Sequence, residues 1–393
     1  MAVKSVLTVK SQSLRQAFAS HTFKLPELPK AGSVPAAPKQ AVVAVRLCDR
    51  FRQLWRDTLG DDHPHTLSAA HHLACVLRAV GEHERAREVD QDTLARFRRV
   101  LGHDHPHTLI SASNLAADLR ALGDYEQACG LDEQTWACFR QILGQDDPHT
   151  LVSANNLAAD LRALGDYERA RRLDEQTWSR FCRVLGRDDA HTLASASNLA
   201  ADLRALGESE RARNLDADIL GRFRHLLGDD HPDTLVLANN LAGDLYVLGD
   251  YEQARDLAND TLMRFRRVLG DDHPDTLTAA SNLAGNLRAL GEWQNARDLD
   301  EDTLDRLRRV LGDDHPDTLT AAGNLAGDLY ALGKWQNARD LDEDTLDRLR
   351  RVLGDDHPDT LTAAGYLAAD LRALGQYQRA SQLHQWIDSR SWS

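Results

Sequence analysis

The stretch LGDDHPDTLTAASNLAGNLRALGEWQ, residues 269–294, returns 42 residues later with few changes as LGDDHPDTLTAAGNLAGDLYALGKWQ. Its opening phrase, D-x-H-P-x-T-L, recurs with drift at steps of 42 from His63 to His357, giving eight copies. A period of this length means one supersecondary unit stacked on copies of itself. The 393 residues would otherwise suggest two or three domains, but a stacked array is one continuous object whatever its length.

Within a copy the apolar spacing is helical. Leu277, Ala280, Leu283, Ala284 and Leu287 form a stripe of i, i+3, i+4 type. Gly291 breaks it, and a second stripe is expected through Ala296, Leu299, Thr303, Leu307 and Val310–Leu311. Each copy therefore reads as helix A, a Gly turn, a longer helix B and an Asp-rich loop. Strand signals are absent, and the expected fold is all-α. Pro274 suits the first position of helix A, with Asp271, Asp272 and Asp275 at the positive end of its dipole. Arg306, Arg308 and Arg309 sit near the negative end of helix B. The Asp/His loops lie on successive layers, so no bound metal and no cofactor are expected.

Seven of the eleven prolines occupy one repeat position, and the other four fall in FKLPELPKAGSVPAAPK. The expected domains are a basic, Pro-containing arm at 1–40, an array at 41–390 and a short tail at 391–393. Residues 41–60 align with a helix B and read as an unpaired capping helix. The net charge of −14 is uneven: residues 1–40 hold six Lys or Arg and one Glu, about +5, leaving about −19 for the rest. So acidic a body disfavours nucleic acid and anionic membrane as partners. Five cysteines with no C-x-x-C, no apolar run of transmembrane length and no signal-peptide core point to a soluble, cytoplasmic protein.

The pattern N-L-A-x-x-L-x-x-x-G-x-x-x-x-A, as in Asn282-Leu283-Ala284, Leu287, Gly291 and Ala296, resembles the tetratricopeptide repeat (TPR). The 42-residue form is similar to the kinesin light chain subclass and to arrays of actinobacterial proteins, over about residues 41–390. The resemblance implies a right-handed superhelix (an α-solenoid) of about eight helix-turn-helix repeats, whose A helices line a concave groove that grips peptides. The asparagine is replaced at both ends, by His72 and Tyr366, as terminal repeats are expected to be atypical.

The copies at 271–312 and 313–354 differ at Ser281/Gly323, Asn286/Asp328, Arg288/Tyr330 and Glu292/Lys334. In the TPR register the first and third of these face the groove. The Arg/Tyr column runs Arg120, Arg162, Arg204, Tyr246, Arg288, Tyr330 and Arg372, beside a ladder of Asn114, Asn156, Asn198, Asn240, Asn282 and Asn324. A carboxamide both donates and accepts, so such a ladder suits the backbone of an extended peptide. Arg and Tyr would read its side chains, Arg by pairing with carboxylates and Tyr by stacking. The competing reading makes the asparagines a spine bonding neighbouring helices. Ile110, Val152, Ala194, Val236, Thr278 and Thr320 stand where chaperone-binding arrays carry Lys or Arg, so that carboxylate-holding mode is not expected.

No catalytic constellation emerges. Gly327, Gly333 and Lys334 approach a P-loop but are followed by Trp335, and Asp300, Glu301 and Asp302 read as solvated surface. The expected function is a non-enzymatic peptide- or protein-binding scaffold. Two other functions stay open: the sensor subunit of a split STAND-type signalling or defence system, with its ATPase supplied in trans, and a chain whose basic arm or SRSWS tail is itself modified. Kinesin light chains occupy their own groove with a segment outside the repeats, and by that resemblance FKLPELP could compete with the ligand.

Overall fold

The D-x-H-P-x-T-L phrase recurs because each of its residues closes part of a helix N-terminus. In the computed structural model, which describes residues 38–390, His273 takes an extended conformation (φ −72°, ψ 139°) and its Nδ1 accepts from the backbone N–H of Asp275 at 3.2 Å. Pro274 follows as the first helical residue, where no N–H is required. The buried hydroxyl of Thr276 donates to the carbonyl of Gly270 at 2.8 Å and ties the loop to the helix. At 147 and 189 the histidine is aspartate, and Oδ1 makes the same bond at 2.9 Å to His149 and His191. A ring nitrogen and a carboxylate are interchangeable here because the helix needs only an acceptor.

Glycine ends both helices of a pair. Gly291, at φ 76°, donates to Arg288, and Glu292 donates back to Leu287, the bond pattern of a Schellman ending. Gly312, at φ 91°, ends the following helix in the same left-handed half of backbone space.

Seventeen helices are found among the described residues, in two compact units. The first unit, ending at Gly144, holds α1 (Pro38–Leu59), α2 (Pro64–Ala79), α3 (His83–Leu101), α4 (Pro106–Ala121) and α5 (Tyr125–Leu143). The second holds α6 (Pro148–Ala163), α7 (Tyr167–Val184), α8 (Ala190–Ala205), α9 (Ser209–Leu227), α10 (Pro232–Val247) and α11 (Tyr251–Leu269). It continues with α12 (Pro274–Ala289), α13 (Trp293–Leu311), α14 (Pro316–Ala331), α15 (Trp335–Leu353), α16 (Pro358–Ala373) and α17 (Tyr377–Asp388). No strand is assigned among these residues. Of the expected arm only residues 38–40 fall in this range, so the rest of 1–40, with FKLPELP, and the 391–393 tail lie outside the described residues.

Within each unit consecutive helices pack on one another. In the first unit Val45 of α1 clusters with Leu73, Leu77 and Ala86, so the opening helix covers the first pair. In the second, Leu235, Ala242, Leu262, Phe265, Leu283 and Leu287 share one cluster, each buried leucine contributing about 2 kcal/mol. Ala284 and Ala296 are fully buried, and a larger side chain there would overpack the helix contact.

Two sequence expectations need correction. The stripe of α13 runs through Ala296, Asp300, Thr303, Leu304 and Leu307, whereas Val310 and Leu311 are exposed. α13, at 19 residues, is nearly one turn longer than α12, at 16. Asp300, read as solvated, is 1% exposed.

Candidate functional site

Asp300 is buried because an arginine reaches it. Arg288 on α12 pairs with Asp300 on α13 at 2.5 Å and with Asp328 on α14 at 3.4 Å, joining three helices through one guanidinium. The arrangement repeats. Arg78 pairs with Asp90 at 2.7 Å and Asp118 at 2.6 Å, Arg162 with Asp174 at 2.9 Å and Asp202 at 2.5 Å, and Arg204 with Asp216 at 2.6 Å and Asp244 at 3.4 Å. Arg120 meets Asp132 at 3.2 Å. Each aspartate named is almost wholly buried, and these arginines keep between a fifth and a third of the side chain exposed.

One guanidinium offsets one carboxylate, so a second buried carboxylate beside it favours its proton. Burial, and then the charge of Asp202, pushes the Asp174 carboxyl up to about 9 against the pull of Arg162. Burial likewise pushes Asp244 and Asp328 up to about 7, with Arg204 and Arg288 opposing it.

The asparagines divide. Asn114 lies within bonding distance of the His71 ring at 3.0 Å, and Asn282 donates to Asn239 at 3.2 Å, both across to the preceding repeat. Asn198, Asn240 and Asn324 are half-buried, with no side-chain bond to another described residue. Asn156 is half-buried as well. The backbone carbonyls of Asn114 and Asn198 accept from Arg78 at 3.3 Å and Arg162 at 3.2 Å, so the clamp passes beneath the ladder.

Two repeats break the clamp differently. Tyr246 replaces arginine, and both acidic partners vanish with it: the positions are Ala258 and Asn286, and Asn286 bonds the carbonyl of Asn282 at 3.1 Å. Tyr330 also replaces arginine, but Asp342 and Asp370 remain. The structure brings Arg288, Asn324, Tyr330, Asp342, Tyr366 and Asp370 around one cavity of about 610 Å³.

Elsewhere the charges are spent locally. Asp272 in the loop receives Arg306 at 2.9 Å and Asp302 receives the same side chain at 2.9 Å, exposed contacts worth little each. Among the described residues no group of three or more His, Cys, Asp or Glu is arranged to hold a metal ion. No helix there is long and apolar enough to cross a membrane.

The sequence reading missed the aspartates of the clamp. Their signal was the joint change of three columns, Arg/Asp/Asp giving way together to Tyr246/Ala258/Asn286.

Among known proteins, the family described as "Tetratricopeptide repeat" matches residues 39–98, 76–135, 107–181, 189–262, 233–305, 275–350 and 317–387. The apo quorum sensor NprR of B. thuringiensis is similar in fold, at 14% identity and a TM-score of 0.61, over 90% of this chain and 97% of that one. A signal transduction ATPase (STAND) of Pyrococcus horikoshii with a tetratricopeptide repeat sensor is similar at 14% identity and a TM-score of 0.57, over 91% of this chain and 53% of that one. A Podosopora anserina protein assigned to the kinesin light chains, with nearly identical TPR-like repeats, shares 26% identity over 51% of this chain and 94% of that one, with a TM-score of 0.47. No curated protein matches the chain.

Proposed function

The chain belongs to the tetratricopeptide repeat family, and on that premise we propose that it is a non-enzymatic scaffold that holds an extended peptide or protein segment along the first helices of its repeats. The observation that carries this reading is the state of Asn198, Asn240 and Asn324, half-buried carboxamides whose donors and acceptors have no bond to other described side chains. Unused polar groups on a partly buried face are suited to the N–H and C=O groups of a partner's backbone. Tyr246 and Tyr330, each 42% exposed, supply apolar contact beside them. Arg120, Arg162, Arg204 and Arg288 have their guanidinium groups engaged by aspartates, so they frame the surface, while Arg78 and Arg162 hold the backbone carbonyls of Asn114 and Asn198.

Amide hydrogen exchange tests the reading. The full chain is used to select from an immobilised library of blocked random heptapeptides, and the strongest selected peptide is added back in solution. Slower exchange is expected in α8, α10 and α14, with α9 and α11 unaffected. Protection confined to those second helices, or a library that yields no binder, would reject it.

A further inference from the structure

At Tyr330 the array retains two buried carboxylates and lacks the cation that every other such pair in the second unit holds. Asp342 and Asp370 are 3% and 1% exposed, and neither has an ion-pair partner among the described residues. Oδ2 of Asp370 is buried with no hydrogen-bond partner, and both side chains line the 610 Å³ cavity. A buried carboxylate left uncompensated is costly, and two that face each other are more so. Burial first, and then the charge of Asp370 and a hydrogen bond with it, push the Asp342 carboxyl up to about 8.

The same molecule displays what fits between two such carboxylates. In the repeat before, Arg288 places Nη1 between Asp300 and Asp328, the positions equivalent to Asp342 and Asp370. Arg162 spreads Nε and Nη2 over Asp202 and Asp174. With tyrosine in the arginine's place, both acids line the wall of the cavity, whose size is ordinary for a ligand site. Loss of the arginine alone does not create this, because at Tyr246 the acids have gone too, as Ala258 and Asn286.

The geometry points to a recognition pocket for an arginine side chain of the bound partner, its guanidinium seated between Asp342 and Asp370 where the neighbouring repeats place their own arginine. Tyr330 and Tyr366, exposed by 42% and 57%, flank the entrance and offer rings against which the stem and the planar head group can lie. Arg288 lines the cavity too, but its charge is already engaged by Asp300 and Asp328. The pocket deepens the scaffold reading by naming one side chain of the peptide, and it rests on that reading for the rest of the ligand.

The test uses the full chain and two pairs of probes, N-acetylarginine amide against N-acetylcitrulline amide, and blocked Gly-Gly-Arg-Gly-Gly against its citrulline form. Citrulline keeps the shape and removes the charge. Ligand-observed NMR titrations are expected to show at least a tenfold preference for arginine, about 1.4 kcal/mol. The preference is expected to disappear in D342N/D370N and in Y330R, which supplies the cation from within, and to survive in the control Y167F at the start of α7. Y330R copies the Arg288 arrangement and is expected to fold, which an unchanged or higher Tm would show. Equal affinity for arginine and citrulline in the wild type, or a preference that persists in Y330R, would overturn the pocket. A pentapeptide that binds better than the single residue without preferring arginine would sink the pocket and keep the scaffold. Arginine preference with no gain from the longer peptide would keep the pocket and sink the scaffold.

Discussion

Nε of Arg162 donates to Oδ1 of Asp202 at 2.5 Å, although forty residues separate them. One period of the chain is 42 residues, so this bond joins a first helix to the next first helix, while Nη2 reaches Asp174 on the helix between. In a stacked array each repeat is stabilised by its interfaces with its neighbours. The clamp is one such interface, made of charge.

Removing the cation from a buried clamp strands two carboxylates. Arg162→Tyr is expected to cost about 3 kcal/mol in urea denaturation. Copying the rest of the Tyr246 arrangement, as Arg162→Tyr with Asp174→Ala and Asp202→Asn, is expected to recover most of that loss. A triple variant no more stable than the single one would show that the three columns do not act together.

The uncompensated pair gives the array a pH dependence of definite sign. Burial first, then Asp370, pushes Asp342 up to about 8, and burial pushes Asp370 up to about 6. Both lie above the ordinary value, so their contribution is full below about pH 4 and is lost as pH rises through 6 and 8. Tyr330 and the engaged Arg288 face the pair from the preceding first helices, Asp359 lines the cavity from the start of α16, and Arg339 on α15 pulls Asp370 down. D342N/D370N escapes the loss. Its stability gain over wild type is expected to be larger at pH 8.5 than at pH 5, by at least about 2 kcal/mol given about 1.4 kcal/mol per pKa unit. A gain independent of pH would mean that the two carboxyls titrate normally.

How much of this was legible in the sequence varies by element. The period, the two helices per copy and their glycine endings follow from local chemistry, and Gly291 and Pro274 mark boundaries that the structure places at the same residues. Asp300 was not legible in the same way. In the run Asp300-Glu301-Asp302 only the first residue turns inward, and its partner lies twelve residues back on another helix. Local pattern cannot separate a buried acid from a solvated one, because the difference is set by a tertiary partner. The columns could, since Ala258 and Asn286 change with Tyr246. The division of the asparagine ladder was hidden for a related reason: His71 and Asn239, which engage Asn114 and Asn282, sit one column aside.

The histidine caps offer a second pH test. Nδ1 of His105 accepts from His107 N–H at 3.2 Å, and burial followed by the charge of His107 holds its imidazole below the usual histidine range. A lowered folded-state value means a contribution present above the unfolded value near 6.5 and lost as pH falls. Aspartate does the same capping at Asp147 and Asp189. The stability of His105→Asp relative to wild type is expected to rise between pH 7 and pH 5 by about 1 kcal/mol. An unchanged difference would indicate that the ring nitrogen contributes no cap.

The scaffold reading stands or falls on separating recognition from folding in the asparagines. In the full chain, Asn198, Asn240 and Asn324 are replaced together by Ala, and both the Tm and the affinity for the library-selected peptide are measured. Affinity is expected to fall at least tenfold, about 1.4 kcal/mol, with the Tm nearly unchanged, since these carboxamides make no bond to other described side chains. A variant that melts well below wild type yet binds the peptide as tightly would contradict the reading and make the ladder a structural spine.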